Sequence, residues 1–290
     1  MKQYPAVPRA ADAPDLFDSG HLWIQEQVDG ALLRFRLRDS GLLQFGGRER
    51  VFDRGRSSGD SDAVPLAYRH AVRHVRESFD REEFRNTVAD VESVVFVGEA
   101  TVRRGVDYDW SRTPGLLGFD VWDADRERFL PPDSVEQIFE RLGLTPVNTF
   151  SKEVRAVDFD PESFEIPDSA WRDGAAAGVV VRNKTGGRGA IVHPEYDEWR
   201  EESDPATAPA PDLADEFVTR ERVERVAGDL EESGQSAGFD AVFDRLVEAI
   251  AREECHRLFH DRASVDLRAF RSAAAERTQE LLHAGNGGAA

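Results

Sequence analysis

A single cysteine, Cys255, stands in a chain of 290 residues, so no internal disulfide is expected and the composition fits a reducing compartment. Lysine is nearly missing too. Of 37 basic residues, 34 are arginine and three are lysine, at Lys2, Lys152 and Lys184. Long apolar runs are absent: the longest, about 175–181, is too short to span a bilayer. The first fifteen residues lack the apolar stretch of a signal peptide. These absences exclude a membrane partner and lead to the expectation of a cytoplasmic protein. What is there suits a folded chain, 40% hydrophobic and 9% aromatic, long enough for one large and one smaller domain.

Positive charge is also in deficit, with a net charge of −19. Acidic excess with scarce lysine fits a halophilic protein adapted to molar intracellular salt. A codon bias towards arginine is the competing origin. An acidic surface ordinarily argues against nucleic acid as a partner. At about 1 M salt the Debye length is roughly 3 Å, which removes most of that objection. Net charge therefore leaves the partner open.

Three segments punctuate the chain. Residues 53–65, DRGRSSGDSDAVP, read as a flexible loop. Residues 201–212 combine charge with three prolines and read as a linker, with 205–212 as its centre. The tail from about His283 ends in GNGGAA and is expected to fray. Before the linker, alternation predicts a half-buried strand at 32–37, a hairpin partner at 42–46 and a turn at 39–41. Leu66 to Phe79 has helical spacing, and 93–97, 115–122 and 178–182 read as buried strands. Asp133 followed by Glu136 predicts a capping box opening a helix that runs to Leu142. After the linker come helical stripes: Val218, Val223, Val226 and Leu230, then Phe239, Val242, Phe243, Leu246 and Ile250, then a helix over 264–282. The fold class is α/β (α+β), with domains at 1–204 and 213–290, the second all-helical.

Five segments carry the chemistry by their order. Trp23-Ile24-Gln25-Glu26-Gln27-Val28-Asp29-Gly30 comes first, then Phe96-Val97-Gly98-Glu99, then Leu117-Gly118-Phe119-Asp120-Val121-Trp122. Ala177-Gly178-Val179-Val180-Val181-Arg182 and Arg188-Gly189-Ala190-Ile191-Val192-His193-Pro194-Glu195-Tyr196-Asp197-Glu198 follow. The series resembles the nucleotidyltransferase motifs of ATP-dependent RNA ligases of the phage, nick-sealing type. Phe217-Val218-Thr219-Arg220-Glu221-Arg222-Val223 resembles the opening of that family's helical domain. The resemblance implies a two-sheet, ATP-grasp-like nucleotidyltransferase domain, ATP and Mg²⁺ as cofactors, and RNA ends as partners in RNA repair. It also implies that Glu26 faces the adenine edge and that Phe119 stacks on the base. Asp29 and Glu99 would line the sugar and metal side, Arg48 would reach the ribose or phosphates, and Gly30 and Val180 would also belong to the cofactor site. Each position has a structural alternative: core for Phe119, a turn for Asp29-Gly30, and a solvated strand end for Glu99. Arg34, alternating with Arg36, reads as surface.

The family's first step is attack of a lysine amine on the α-phosphate of ATP, from a Lys-x-Asp-Gly motif. Gln27 occupies the lysine's place. An amide nitrogen's lone pair is delocalised, so Gln27 cannot form a phosphoramidate. The family's metal-site glutamate aligns with Ala177, and its two fifth-motif lysines with Ala190 and Val192. Arg188 is the expected replacement charge, although a guanidinium copies an ammonium poorly. Lys184 is the one candidate for a relocated nucleophile. Impaired self-adenylation follows, with ATP binding expected to be weak. A pseudoenzyme acting as a regulatory or protein-interaction module is the alternative, and transfer from an already activated ligand is a third. Glu253, Cys255, His256 and His260 have a spacing that could bind zinc, but a solvated helix face explains them better.

Overall fold

The computed structural model describes residues 1–52, 64–201 and 204–286. It divides into two units, Met1–Glu201 and Glu202–Ala290. The first carries ten strands: β1 His21–Glu26, β2 Ala31–Leu37, β3 Leu43–Gly46, β4 Val51–Phe52, β5 Val94–Ala100, β6 Leu116–Asp123, β7 Arg128–Phe129, β8 Thr149–Arg155, β9 Gly178–Asn183 and β10 Arg188–Val192. They form two sheets, ordered β10-β9-β1-β8 and β4-β3-β2-β5-β6-β7. Every strand pair within them is antiparallel.

Alternation in β2 explains the larger sheet. Leu33, Phe35 and Leu37 point to one face and are fully buried. Helices α1 (Arg69–Ser78), α2 (Arg81–Thr87) and α3 (Pro132–Arg141) cover that face. They contribute Val72, Val75, Phe84, Val135 and Phe139 to one core with the strand residues. Phe35 stacks on Phe96 at 4.8 Å, and Phe79, Phe84 and Phe139 meet Phe96 edge-on. With helices on that face, the opposite face of the sheet is left for the functional cleft. The β2–β3 hairpin turns where the sequence predicts it. Arg38 N–H donates to the Leu42 carbonyl at 2.9 Å, and Gly41 takes φ +81°, which a side chain would resist.

Two local expectations need correction. Asp133 does not open a capping box: α3 begins at Pro132 with Pro131 as N-cap and no side-chain cap bond. Its carboxylate instead lies 3.2 Å from Lys184 Nζ, while Glu136 accepts from Lys152. Pro at the first helical position needs no N–H there, so the helix starts two residues early. Arg34 is not on the surface. It is 1% exposed, because residues 2–7 run over that face of β2.

The second unit is helical. It comprises α5 (Ala210–Phe217), α6 (Arg220–Glu232), α7 (Phe239–Glu253), α8 (Cys255–Leu258) and α9 (Leu267–Asn286); α4 (Tyr196–Glu201) closes the first unit. Val223, Val226, Leu230, Val242, Leu246 and Ile250 from the predicted stripes share a core with Leu213, Phe217 and Phe270. Thr219 caps α6 by accepting from Arg222 N–H at 3.2 Å. Within the expected linker, Ala206 is buried and donates to the Arg257 carbonyl at 3.0 Å, and Pro209 caps α5. Of the loop expected at 53–65, residues 53–63 lie outside the described residues, as does the tail's end at 287–290. Helix α9 continues past His283 to Asn286. No helix is long and apolar enough to cross a membrane among the described residues.

Candidate functional site

A cleft of about 570 Å³ is lined by residues of both sheets. Val180 and Ala190 enter it from the smaller sheet, and Leu32, Glu99 and Phe119 from the larger. Glu26, Gln27, Asp29, Gly30 and Arg48 also line it. The segments singled out in the sequence thus converge on one place, with departures at Arg188 and Ala177, described below.

Motif geometry is held by the main chain. Gln27 N–H donates to the Gly178 carbonyl at 3.0 Å, which fixes the residue beyond the end of β1. Its Oε1 is buried without a hydrogen-bond partner. Gly30 has to be glycine, since a Cβ there would lie 2.5 Å from the Ala100 carbonyl oxygen. Glu26 pairs across the sheet with Val179, on the face opposite Gln25 and Val180. Its carboxylate accepts from Ser169 Oγ at 2.5 Å, from Ala170 N–H at 3.1 Å and from Asn148 Nδ2 at 3.1 Å. Burial raises its pKa, against the lowering by these three donors.

Asp29 is similarly engaged. One oxygen accepts from Tyr196 hydroxyl at 2.7 Å, the other from Val106 N–H at 3.1 Å, and Asp29 N–H donates to Tyr108 hydroxyl at 2.7 Å. Burial raises the pKa of both tyrosines, and Asp29's charge adds to it. Glu99, on the same wall, is half-buried. Burial and then the charge of Asp29 push its pKa up to about 8, with Arg104 and Arg48 opposing.

Arg188 does not face the cleft. Its guanidinium lies 2.9 Å from Asp120, bonds to Tyr4 hydroxyl and sits over the rings of Tyr4 and Phe129. The side chain expected to restore phosphate-facing charge is consumed by Asp120, which is fully buried and needs a partner. Arg182 pairs with the same carboxylate at 3.1 Å and does line the cleft. Tyr4 donates to Asp120 at 3.1 Å and meets Phe119 edge-on at 5.1 Å. Residues 4–9 thus form a strap at the cleft, tied to β10 where Ala190 N–H donates to the Pro8 carbonyl at 2.8 Å.

None of the three lysines lines the cleft. Lys2 lies over the Trp122 ring at 3.9 Å, and Lys152 is paired with Glu136 at 2.6 Å. Lys184 is held between Glu153 at 2.9 Å and Asp133 at 3.2 Å, and its ammonium lies over Trp23. Bonds to Glu153 and then Asp133 raise its pKa, the wrong direction for an amine nucleophile.

A family model described as RNA ligase matches residues 20–192. The chain belongs to the RNA ligase family. No curated protein sequence matches it. Solved structures of a Naegleria gruberi RNA ligase are similar in fold: one variant with ATP and Mn at TM-score 0.53 and 12% identity, another with ATP and Mn at 0.51 and 14%, and the ligase with PPi at 0.51 and 13%. Each match covers 70% of this chain and 58–59% of the ligase chain. The family match ends before the helical unit, so the resemblance of Phe217-Val218-Thr219-Arg220 stands on sequence alone.

Against the family's pattern, the donor set does not fit a divalent metal held by protein groups alone. Ala177, at the metal glutamate's position, is buried in an apolar cluster with Val28, Val106 and Leu117. Asp29's oxygens are both occupied, which leaves Glu99 on that wall, and no group of three metal-binding side chains occurs among the described residues. The zinc-like spacing also dissolves: α7 ends at Glu253, α8 ends at Leu258, and His260 lies beyond both. Sequence reasoning missed Tyr4, Arg9, Arg104, Asp120, Arg182, Tyr196 and Arg200. Of these, Asp120, Arg182 and Tyr196 sat inside the motifs already singled out, and for Asp120 and Arg182 a charged residue inside a buried strand was the signal.

Proposed function

We propose that this RNA ligase family member binds an adenine nucleotide or a phosphorylated RNA end in the cleft and is impaired in self-adenylation. The observation that carries this reading is Gln27, anchored by its main chain at the cleft while all three lysines are engaged outside it. ATP in the related solved structures supports the choice of nucleotide. Phe119 supplies an aromatic surface, while Glu26 and Asp29 have their oxygens occupied by protein donors. An aromatic stack with one or two hydrogen bonds contributes about 1–3 kcal/mol, short of the roughly 4 kcal/mol of millimolar binding, so with the cleft's arginines added the affinity is expected to be no better than high micromolar to millimolar. A divalent ion, Mg²⁺ or Mn²⁺, would arrive on the nucleotide's phosphates, with Glu99 and Asp197 as the other carboxyls lining the cleft.

The test is incubation with α-labelled ATP and Mg²⁺ or Mn²⁺ followed by denaturation. No label should stay on the protein. Retained AMP would overturn the reading, and its mapping to Lys184 would identify a relocated nucleophile. The internal satisfaction of Glu26 and Asp29 favours a second reading, a pseudoenzyme serving as a protein-interaction module. RNA binding at molar KCl separates the two: the first reading expects it and the second does not.

A further inference from the structure

Asp29, the acidic residue of the first motif, has no oxygen left for a ligand. One accepts from the Tyr196 hydroxyl at 2.7 Å and the other from Val106 N–H at 3.1 Å, and the residue is 3% exposed. The two donors differ in kind. Val106 offers its main chain from the β5–β6 loop, 77 residues on, and does not line the cleft. Tyr196 offers a side chain from α4, 167 residues on, and does line it. Tyr196 therefore stands between Asp29 and anything that enters.

Packing around α4 makes that contact a fixed part of the wall. Gly105 lies so close to the helix that a Cβ would meet Arg200 Cα at 2.9 Å and Arg200 N at 3.0 Å. Val106 is the next residue, so one close approach positions both donors to Asp29. Trp199 stacks on the His193 ring at 4.5 Å, and the Arg172 guanidinium lies over the same indole at 5.1 Å. His193 is held in turn: its Nδ1 accepts from Glu195 N–H at 3.2 Å and its carbonyl from Tyr196 N–H at 3.0 Å. Arg200 rests over the Tyr196 ring at 5.8 Å. Burial, then the charge of Asp29, holds the Tyr196 phenol well above its ordinary range, so it keeps the proton that it donates.

We infer that Tyr196 is a specificity-determining residue: its hydroxyl stands in for a sugar hydroxyl of the ligand and closes the sugar side of the cleft. This rests on the nucleotide reading above. A site that hydrogen-bonds a ligand hydroxyl rejects the analogue lacking it, because a buried polar group is then left unpaired. With Tyr196 docked, Asp29 stays paired whichever sugar is bound, and that penalty never arises. The cleft therefore does not distinguish a ribose from a sugar without its 2′ and 3′ hydroxyls. Removing Tyr196 returns one buried carboxylate oxygen to the cleft and creates the distinction.

The experiment titrates adenosine, 2′,3′-dideoxyadenosine and ATP into the full chain by ligand-detected NMR, with Tyr196→Ala and Tyr196→Phe as variants and circular dichroism to confirm their folds. Wild type should bind the two nucleosides within about twofold of one another. Tyr196→Ala, which clears both ring and hydroxyl, should prefer adenosine by at least about tenfold. Tyr196→Phe removes the hydroxyl and keeps the ring, so its preference should run the same way and be smaller; it decides the matter if Tyr196→Ala does not fold. A merely structural role for Tyr196 would weaken both nucleosides alike and create no preference. A tenfold preference for adenosine in wild type, or none in either folded variant, overturns the inference and spares the nucleotide reading. Failure of wild type to bind either nucleoside or ATP overturns both.

Discussion

Replacing Asp120 by asparagine removes the charge that holds three elements at the floor of the cleft. Asp120 is fully buried, with Arg182 at 3.1 Å, Arg188 at 2.9 Å, Tyr4 hydroxyl at 3.1 Å and Val121 N–H at 3.0 Å. Asparagine keeps the shape and one acceptor oxygen but turns an NH₂ towards a guanidinium. Breaking a buried ion pair by removing one partner costs about 3–5 kcal/mol, because the other charge stays buried. Here two guanidiniums are left, so Asp120→Asn should fall at the upper end of that range. For a unit of this size that lowers the melting temperature by roughly 10 °C or more. Urea unfolding monitored by tryptophan fluorescence measures the loss directly. The loss should persist at about 2 M KCl, because the triad is shielded from mobile ions, whereas exposed pairs are screened. Adding Arg188→Met should cost far less in the Asp120→Asn background than in wild type, with a coupling of about 1–3 kcal/mol. A loss below about 1 kcal/mol for Asp120→Asn, or additivity of the two changes, would refute the triad as the organiser of the cleft floor.

Restoring chemistry should need several parts at once. Gln27→Lys alone is expected to give little or no adenylate, while Gln27→Lys, Ala177→Glu and Ala190→Lys together give a detectable one in a labelled-ATP assay. Ala177 is buried among apolar side chains, so the glutamate should cost stability unless metal is supplied, and thermal unfolding with and without Mn²⁺ checks this. Robust adenylation by Gln27→Lys alone would show that Ala177 and Ala190 are not defects. For Glu99, the folded pKa of about 8 stands above the ordinary 4.5, so its ionisation penalises the fold. Its favourable contribution is complete below pH 4.5 and is lost as pH rises through about 8. Glu99→Gln should therefore gain on wild type across that window by roughly 1–3 kcal/mol, the full shift being discounted for partial exposure, with a plateau above it. A stability difference that is flat with pH would remove Glu99 from this role.

Much of the architecture was legible before any coordinates. The alternation of Leu33, Phe35 and Leu37 marked β2, and the stripe of Val223, Val226 and Leu230 marked α6, because burial on one face imposes a period that sequence displays. Strand β8 was not legible, since its residues are half-buried or exposed and show no alternation. Prolines misled twice: Pro132 and Pro209 start or cap helices, where spacing suggested a capping box and a linker. Motif order placed Gln27, Asp29, Glu99, Phe119 and Val180 at one cleft.

The amino-acid sequence alone determined that an amide stands at position 27, since no packing can turn Gln27 into an amine. It also showed those strands and helices whose one-sided burial sets a local period, β2 and α6 among them. Only the tertiary structure decided where the charges go. Arg34 became a buried clamp because the strap covers it, and Arg188 was drawn to Asp120, 68 residues away in the chain. Glu26 was answered by Ser169 and Ala170, 143 and 144 residues on. Arg9, Arg48, Arg104 and Arg200, unremarkable in sequence apart from Arg48, met at one cleft. A charge's partner is set by proximity in space, and proximity between distant segments leaves no periodic mark along the chain.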